Sequence, residues 1–183
     1  MRYLVTGGAG FIGSHLTDRL IQKNHRVVVL DNLSTGRKSD VNKRAVFMRG
    51  DIRNLAFVSR VFRKVKPDGI FHLAALPRVP LSVADPVGTS EVNIGGTVSI
   101  FKAALDAKVK RVVFASSSSV YGDQKTLPLK ENMIPHPVSP YGLQKWVGEQ
   151  WATLFSSLYG LPVISLRYFN VYGPRIDFDS DYS

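Results

Sequence analysis

The stretch that decides the fold is Thr6-Gly7-Gly8-Ala9-Gly10-Phe11-Ile12-Gly13. Gly7, Gly10 and Gly13 stand three apart. Before them, Arg2 to Thr6 is a short apolar run, the pattern of a buried parallel strand. After them, Phe11 to Lys23 carries Ile12, Leu16, Leu20 and Ile21 at helical spacing. Glycines at a strand-to-helix junction permit a tight turn and let a pyrophosphate approach the backbone. The helix start adds free N–H groups and partial positive charge. Glycines alone would equally serve an ordinary turn. Strand before, helix after and an acid, Asp31, ending the next strand together make this a dinucleotide-binding loop.

Asp31 also selects the dinucleotide. A carboxylate accepts hydrogen bonds from the adenosine ribose hydroxyls and repels a 2′-phosphate, which favours NAD over NADP. Arg37 and Lys38 stand nearby as cations that could serve a 2′-phosphate. Asp51, after the third apolar run, is placed either to meet an adenine amino group or merely to cap a strand end.

Outward from the loop, Arg26 to Leu30, Ala45 to Met48, Gly69 to Leu73, Arg111 to Ser116 and Pro162 to Arg167 read as further strands. Helical patterns fill the intervals at Asn54 to Val65, Pro86 to Ala107 and Pro140 to Tyr159. This alternation predicts an α/β Rossmann fold, a doubly wound parallel sheet with helices on both faces. Ligands of such sheets bind beyond the C-terminal strand ends. Residues 1–175 read as the NAD-binding Rossmann domain. Residues 176–183, acidic and without a periodic pattern, read as the start of a truncated linker or substrate-domain segment.

The chain has 183 residues, 44% of them hydrophobic, which suits one domain with a sizeable core. No apolar run reaches the ~18 residues of a membrane span, and Met1-Arg2 leads straight into a strand rather than a signal peptide. The expectation is a cytoplasmic protein. Cysteine is absent, which excludes disulfides, Cys-based zinc sites and thiol catalysis; no metal site is expected. The formal net charge is +10, but the cations are scattered, as at Lys43-Arg44, Arg63-Lys64 and Lys110-Arg111. No basic stripe is interleaved with aromatics, so neither nucleic acid nor membrane is expected as a partner.

A second constellation lies in the later half. The fifth strand runs into Ser116-Ser117-Ser118-Ser119-Val120-Tyr121-Gly122, and a helix start at Ser139-Pro140 precedes Tyr141 and Lys145. Tyr141 and Lys145 are four apart and share one helix face. A neighbouring ammonium stabilises a phenolate, which can take a proton from an alcohol or sugar hydroxyl; a serine opposite could position that hydroxyl. Alone, such a Tyr–Lys pair is as readily a solvated helix face, and a serine run a loop. Their order after a dinucleotide loop makes them specific.

Taken together, the chain resembles the extended short-chain dehydrogenase/reductase superfamily, in its NAD-dependent nucleotide-sugar epimerase/dehydratase branch. The resemblance rests on T-G-G-A-G-F-I-G at Thr6 to Gly13, D-N-L-S-T-G at Asp31 to Gly36 and H-L-A-A at His72 to Ala75. It continues through N-I-G-G-T at Asn93 to Thr97, S-S-S-S-V-Y-G at Ser116 to Gly122, S-P-Y-G-L-Q-K at Ser139 to Lys145 and R-Y-F-N-V-Y-G-P at Arg167 to Pro174.

The resemblance implies roles for single residues. Gly7, Gly10, Phe11, Ile12 and Gly13 would hold the pyrophosphate. Asp31, Asn32, Ser34, Thr35 and Gly36 would hold the adenosine ribose, and Asp51 and Ile52 would bracket adenine. Leu73, Ala74 and Ala75 would line the pyrophosphate and nicotinamide side. Asn93 would support the cofactor and the active-site backbone. Tyr168 and Phe169 would lie near the nicotinamide, and Lys145, besides assisting Tyr141, would bind the nicotinamide ribose. The catalytic set would be Ser117, Tyr141 and Lys145. Ser82, Ser117, Ser118, Tyr141 and Asn170 would meet the sugar nucleotide, with Arg78 nearby.

Dehydratases of the branch resemble one another in carrying Asp-Glu after the catalytic serine. Here Ser118-Ser119 stand there and cannot do that acid–base work. What the resemblance leaves is 4-epimerisation of a UDP-hexose or UDP-N-acetylhexosamine by transient oxidation at C4. Two alternatives stay open: a noncatalytic NAD(H)-binding module, and another nucleotide-sugar oxidoreductase of the branch. Members of the branch continue into a C-terminal substrate domain, and they often pair through a helix bundle, for which Val98, Phe101, Trp146, Trp151 and Phe155 are candidates.

Overall fold

Each apolar run forms a strand in the computed structural model, which describes residues 1–176. The strands are β1 (Arg2–Thr6), β2 (Arg26–Asp31), β3 (Val46–Arg49), β4 (Gly69–His72), β5 (Arg111–Ser117) and β6 (Val163–Tyr168). They pair in parallel in the order β3-β2-β1-β4-β5-β6, with Thr6 opposite Leu30 on one side and His72 on the other. The helices are α1 (Phe11–Gln22), α2 (Leu55–Val65), α3 (Val79–Ala84), α4 (Pro86–Ser90), α5 (Thr97–Asp106) and α6 (Pro140–Tyr159).

Alternating strand positions feed two cores. Leu4, Leu30, Ile70, Val112 and Phe114 point to the face covered by α2, α5 and α6, where they meet Phe62, Phe101, Ala152 and Phe155. Val5, Val27 and Val29 point to the other face, against Leu20 and Ile21 of α1. Each such large side chain contributes roughly 1.5–3 kcal/mol on burial. The sheet changes face between β1 and β4, and there its C-terminal ends open a cleft.

Local chemistry fixes the helix that matters most for the cleft. Ser139 Oγ caps α6 by accepting from Gly142 N (3.1 Å), Pro140 occupies its first turn, and Gly160 ends it at φ 69°.

Two features depart from the sequence reading. The single helix expected over Pro86 to Ala107 is α4 and α5 joined by a π-helical segment, Glu91–Gly96. Gly96 ends this segment packed on Ile52, where a Cβ would stand 2.5 Å from Ile52 Cδ1. Helix α3, six residues long, is too short to show a period in its sequence. The bundle candidates also divide. Phe101 and Phe155 are buried in the main core, whereas the exposed stripe of α6 is Leu143, Trp151, Leu154 and Leu158. Of the segment expected over 176–183, all but Ile176 lies outside the described residues. Among the described residues no helix is long and apolar enough to cross a membrane, and no cluster of potential ligands could hold a metal ion.

Candidate active site and its cofactor cleft

The cleft at the switch point has a volume of about 580 Å³. Its first wall is backbone. Gly7 sits at φ 69°, and a Cβ there would lie 2.7 Å from Ala74 N. A Cβ on Gly13 would overlap Gly7 O. Both must therefore be bare, and the loop packs closely on the segment that follows β4 and on its own backbone. Helix α1 begins after Gly10 without a side-chain cap, and Gly10, Phe11, Ile12 and Gly13 line the cleft.

Asp31 braces this loop. It is buried, its Oδ2 accepts from Ala9 N (2.9 Å) and its Oδ1 from Leu33 N (2.8 Å). An ionised carboxylate has about four acceptor positions, so two remain for hydroxyl donors. Asn32, Ser34 and Thr35 line the cleft beside it. Gly36 does not. It packs behind the loop, where a Cβ would stand 2.6 Å from the Ala9 carbonyl.

Asp51 and Ile52 close the same end. Asp51 is gripped by Arg53, whose Nη2 donates at 2.8 Å, and Arg53 also reaches Glu91 at 3.2 Å. Hydrogen bonding from Arg53 holds the Asp51 carboxyl below the usual range. Arg53 was not among the residues expected from sequence, and an exposed arginine after an Asp-Ile pair carries no distinctive signal.

The second wall is built of side chains. Tyr141 and Lys145 lie on the inner face of α6 and line the cleft with Ser117 and Ser118. Lys145 is almost fully buried. Its Nζ donates to Ala115 O (2.8 Å) and stands 5.8 Å from the centre of the Tyr141 ring. Burial lowers its pKa to about 8. Ser117 Oγ accepts from Ser119 N (3.1 Å) and lies 3.2 Å from Ser119 Oγ. One turn beyond Lys145, Glu149 forms a largely buried pair with Arg167 of β6 (2.8 Å) and accepts from Ser116 Oγ. Arg167 lies over the Tyr121 ring at 4.6 Å.

Leu73, Ala74 and Ala75 line the floor between the walls, and Arg78, Tyr168, Phe169 and Asn170 line the rim. Ser82 and Asn93 stand behind the walls instead. Ser82 is fully buried; its hydroxyl donates to Val79 O (2.7 Å) and accepts from Tyr141 N (3.1 Å). That position corrects the expected sugar-nucleotide contact at Ser82, because its hydroxyl is committed to the start of α6. Asn93, on the π-helical segment, accepts from Leu76 N (2.8 Å) and donates to Leu76 O (3.0 Å) and Gln144 Oε1 (2.7 Å). It holds backbone and α6 together and presents no face to the cleft.

A family model described as the NAD dependent epimerase/dehydratase family matches residues 3–183. The chain belongs to this family. A putative UDP-glucose 4-epimerase of Methanocaldococcus jannaschii is 45% identical over 176 residues, covering 95% of this chain and 57% of that protein. The UDP-glucose 4-epimerase of Thermus thermophilus, solved in complex with NAD, superposes with a TM-score of 0.96 at 42% identity, covering 100% of this chain and 59% of that one. A UDP-N-acetylglucosamine 4-epimerase of Methanobrevibacter ruminantium, solved with UDP-N-acetylmuramic acid, gives 0.93 at 40% identity, covering 100% and 59%. The chain thus spans little more than half the length of the relatives it matches, and the likeness establishes the Rossmann fold throughout.

Proposed function

We propose that the chain holds NAD in this cleft and serves 4-epimerisation of a UDP-hexose or UDP-N-acetylhexosamine, alone or as the cofactor-binding half of such an enzyme. The observation that carries the reading is the buried Lys145 ammonium beneath the Tyr141 ring, in one cleft with a bare glycine loop. The residues fit a dinucleotide. Gly7 and Gly13 leave a cradle that a Cβ would fill, the uncapped start of α1 suits a pyrophosphate, and Asp31 retains acceptor positions for ribose hydroxyls.

When bound, NAD supplies the acceptor that takes the sugar C4 hydrogen as hydride and returns it to the opposite face. The chain's own residues handle the proton. Tyr141 takes it from the C4 hydroxyl as base and gives it back as acid. Lys145 favours the phenolate by its charge, which it keeps at neutral pH with a pKa of about 8. Ser117 would orient the hydroxyl, and Ser118 and Asn170, which line the cleft with it, would meet the sugar nucleotide. The proposal extends to a homodimer through the exposed stripe of α6.

The test is epimerisation by the 183-residue chain, supplied with NAD and UDP-glucose or UDP-N-acetylglucosamine, with the 4-epimer sought by chromatography. Product is expected if this half holds enough of the site. The second reading is a noncatalytic NAD-binding module. Bound NAD with neither turnover nor UDP-sugar affinity would decide for it.

A further inference from the structure

Beneath the cleft runs a line of buried polar side chains that none of the roles above uses. Thr6 ends β1, His72 ends β4 and Thr97 begins α5; all three are buried. Ala74 N lies 3.3 Å from Thr6 Oγ1, Thr6 Oγ1 lies 2.7 Å from His72 Nδ1, His72 Nε2 lies 3.0 Å from Thr97 Oγ1, and Thr97 Oγ1 lies 2.7 Å from Asn93 O. The two ends fix the direction of every bond. Ala74 N–H can only donate, so Thr6 Oγ1 accepts there. Asn93 O can only accept, so the Thr97 proton is spent on it. His72 Nε2 must then carry a proton to donate to Thr97, and Nδ1 is left to accept the Thr6 proton. The opposite tautomer would set two lone pairs against each other at 3.0 Å and leave the Thr6 proton without an acceptor.

The line does not stop at Asn93. Its side chain clamps Leu76 and donates to Gln144, which sits between Tyr141 and Lys145 on α6 and donates in turn to Thr89 Oγ1 (2.9 Å) and Ser90 Oγ (3.1 Å). The floor segment 73–76 is therefore tied at Ala74 through His72 and at Leu76 through Asn93, and both ties lead to the helix that carries the base.

We infer that His72, as the neutral Nε2–H tautomer, is a positioning residue that sets the floor segment 73–76 against α6 and so fixes the cofactor seat relative to Tyr141 and Lys145. The inference rests on the proposed NAD site for its functional consequence, but not for its geometry. Burial and the nearby Lys145 charge agree with it, pushing the imidazole pKa down to about 3. His72 also stacks on Phe114 at 5.7 Å, so its ring is held on both faces of the problem, by packing and by hydrogen bonds.

Long-range proton–nitrogen correlation spectra of the 183-residue chain should show His72 protonated at Nε2 alone between pH 5 and 8. An Nδ1–H tautomer or an imidazolium at pH 7 would overturn the inference. Thr97→Val removes the acceptor and Thr97→Ser restores it. In Thr97→Val the Ala74 and Leu76 amides should exchange about tenfold faster and NAD should bind about fivefold to tenfold more weakly, while Thr97→Ser stays within about twofold of the parent. A Thr97→Val variant with a lower melting temperature but parental exchange at Ala74 and Leu76 and parental NAD affinity would show a merely structural residue and sink the inference. Failure of the parent chain itself to bind NAD would defeat the proposed function instead, and the tautomer and amide exchange would still decide this one.

Discussion

The two walls of the cleft are made by opposite means. The glycine-loop wall works by omission: Gly7 and Gly13 have no room for a side chain, and the start of α1 carries no side-chain cap. The α6 wall works by commitment. Tyr141, Lys145 and Glu149 recur every fourth residue on one helix face, and the last two are spent on Ala115 O and Arg167. A wall of backbone can seat a phosphate but cannot move a proton. A wall of buried ionisable groups can move one, at the cost of burying charge. The comparison predicts that lesions on the first wall destroy binding and lesions on the second destroy turnover.

The largest expected effect is on the second wall. Tyr141→Phe should lower epimerisation by about 10³-fold, as loss of a positioned acid–base group does, and leave NAD affinity near the parent value. Equal loss of both would break the division between the walls. Next comes Gly7→Ala. A side chain at φ 69°, 2.7 Å from Ala74 N, should cost about 3 kcal/mol in chemical denaturation and abolish NAD binding.

The charge on Lys145 gives a third test. Its folded pKa of about 8 lies below the ordinary 10.5, so between these values the unfolded chain holds a proton that the folded chain has released. Stability should therefore rise with pH across that window, by about 2 kcal/mol relative to Lys145→Met, measured by denaturation at pH 8 and 10.5. A parallel pH dependence in the two proteins would show that Lys145 is not held in a desolvated site. The smallest effect is Asp31→Ala, which should weaken NAD about tenfold and NADP less, by calorimetric titration. Equal losses would confine Asp31 to bracing Ala9 and Leu33.

The two walls also differed in how far they could be read from sequence. Glycine spacing betrays the first directly, because only a backbone constraint explains bare residues at Gly7, Gly10 and Gly13 between an apolar run and a helix. Strand order followed from the same alternation. The second wall was legible at Tyr141 and Lys145, where helical spacing puts two groups together. Its supports were not. Ser116 reaches Glu149 across 33 positions, and Gln144 reaches Thr89 across 55, so no local pattern announces either. Ser82, which the resemblance set at the sugar nucleotide, misled for the same reason: the N–H of Tyr141 that its hydroxyl accepts lies 59 positions away.

That last bond has a mechanical meaning. Helix α3 packs on α6, and the Ser82 hydroxyl bridges Val79 O and the N–H of Tyr141, so the rim segment that begins at Arg78 and the start of α6 form one packed unit. A shape change at the rim would therefore have to be accommodated at the first turn of α6, where Tyr141 stands.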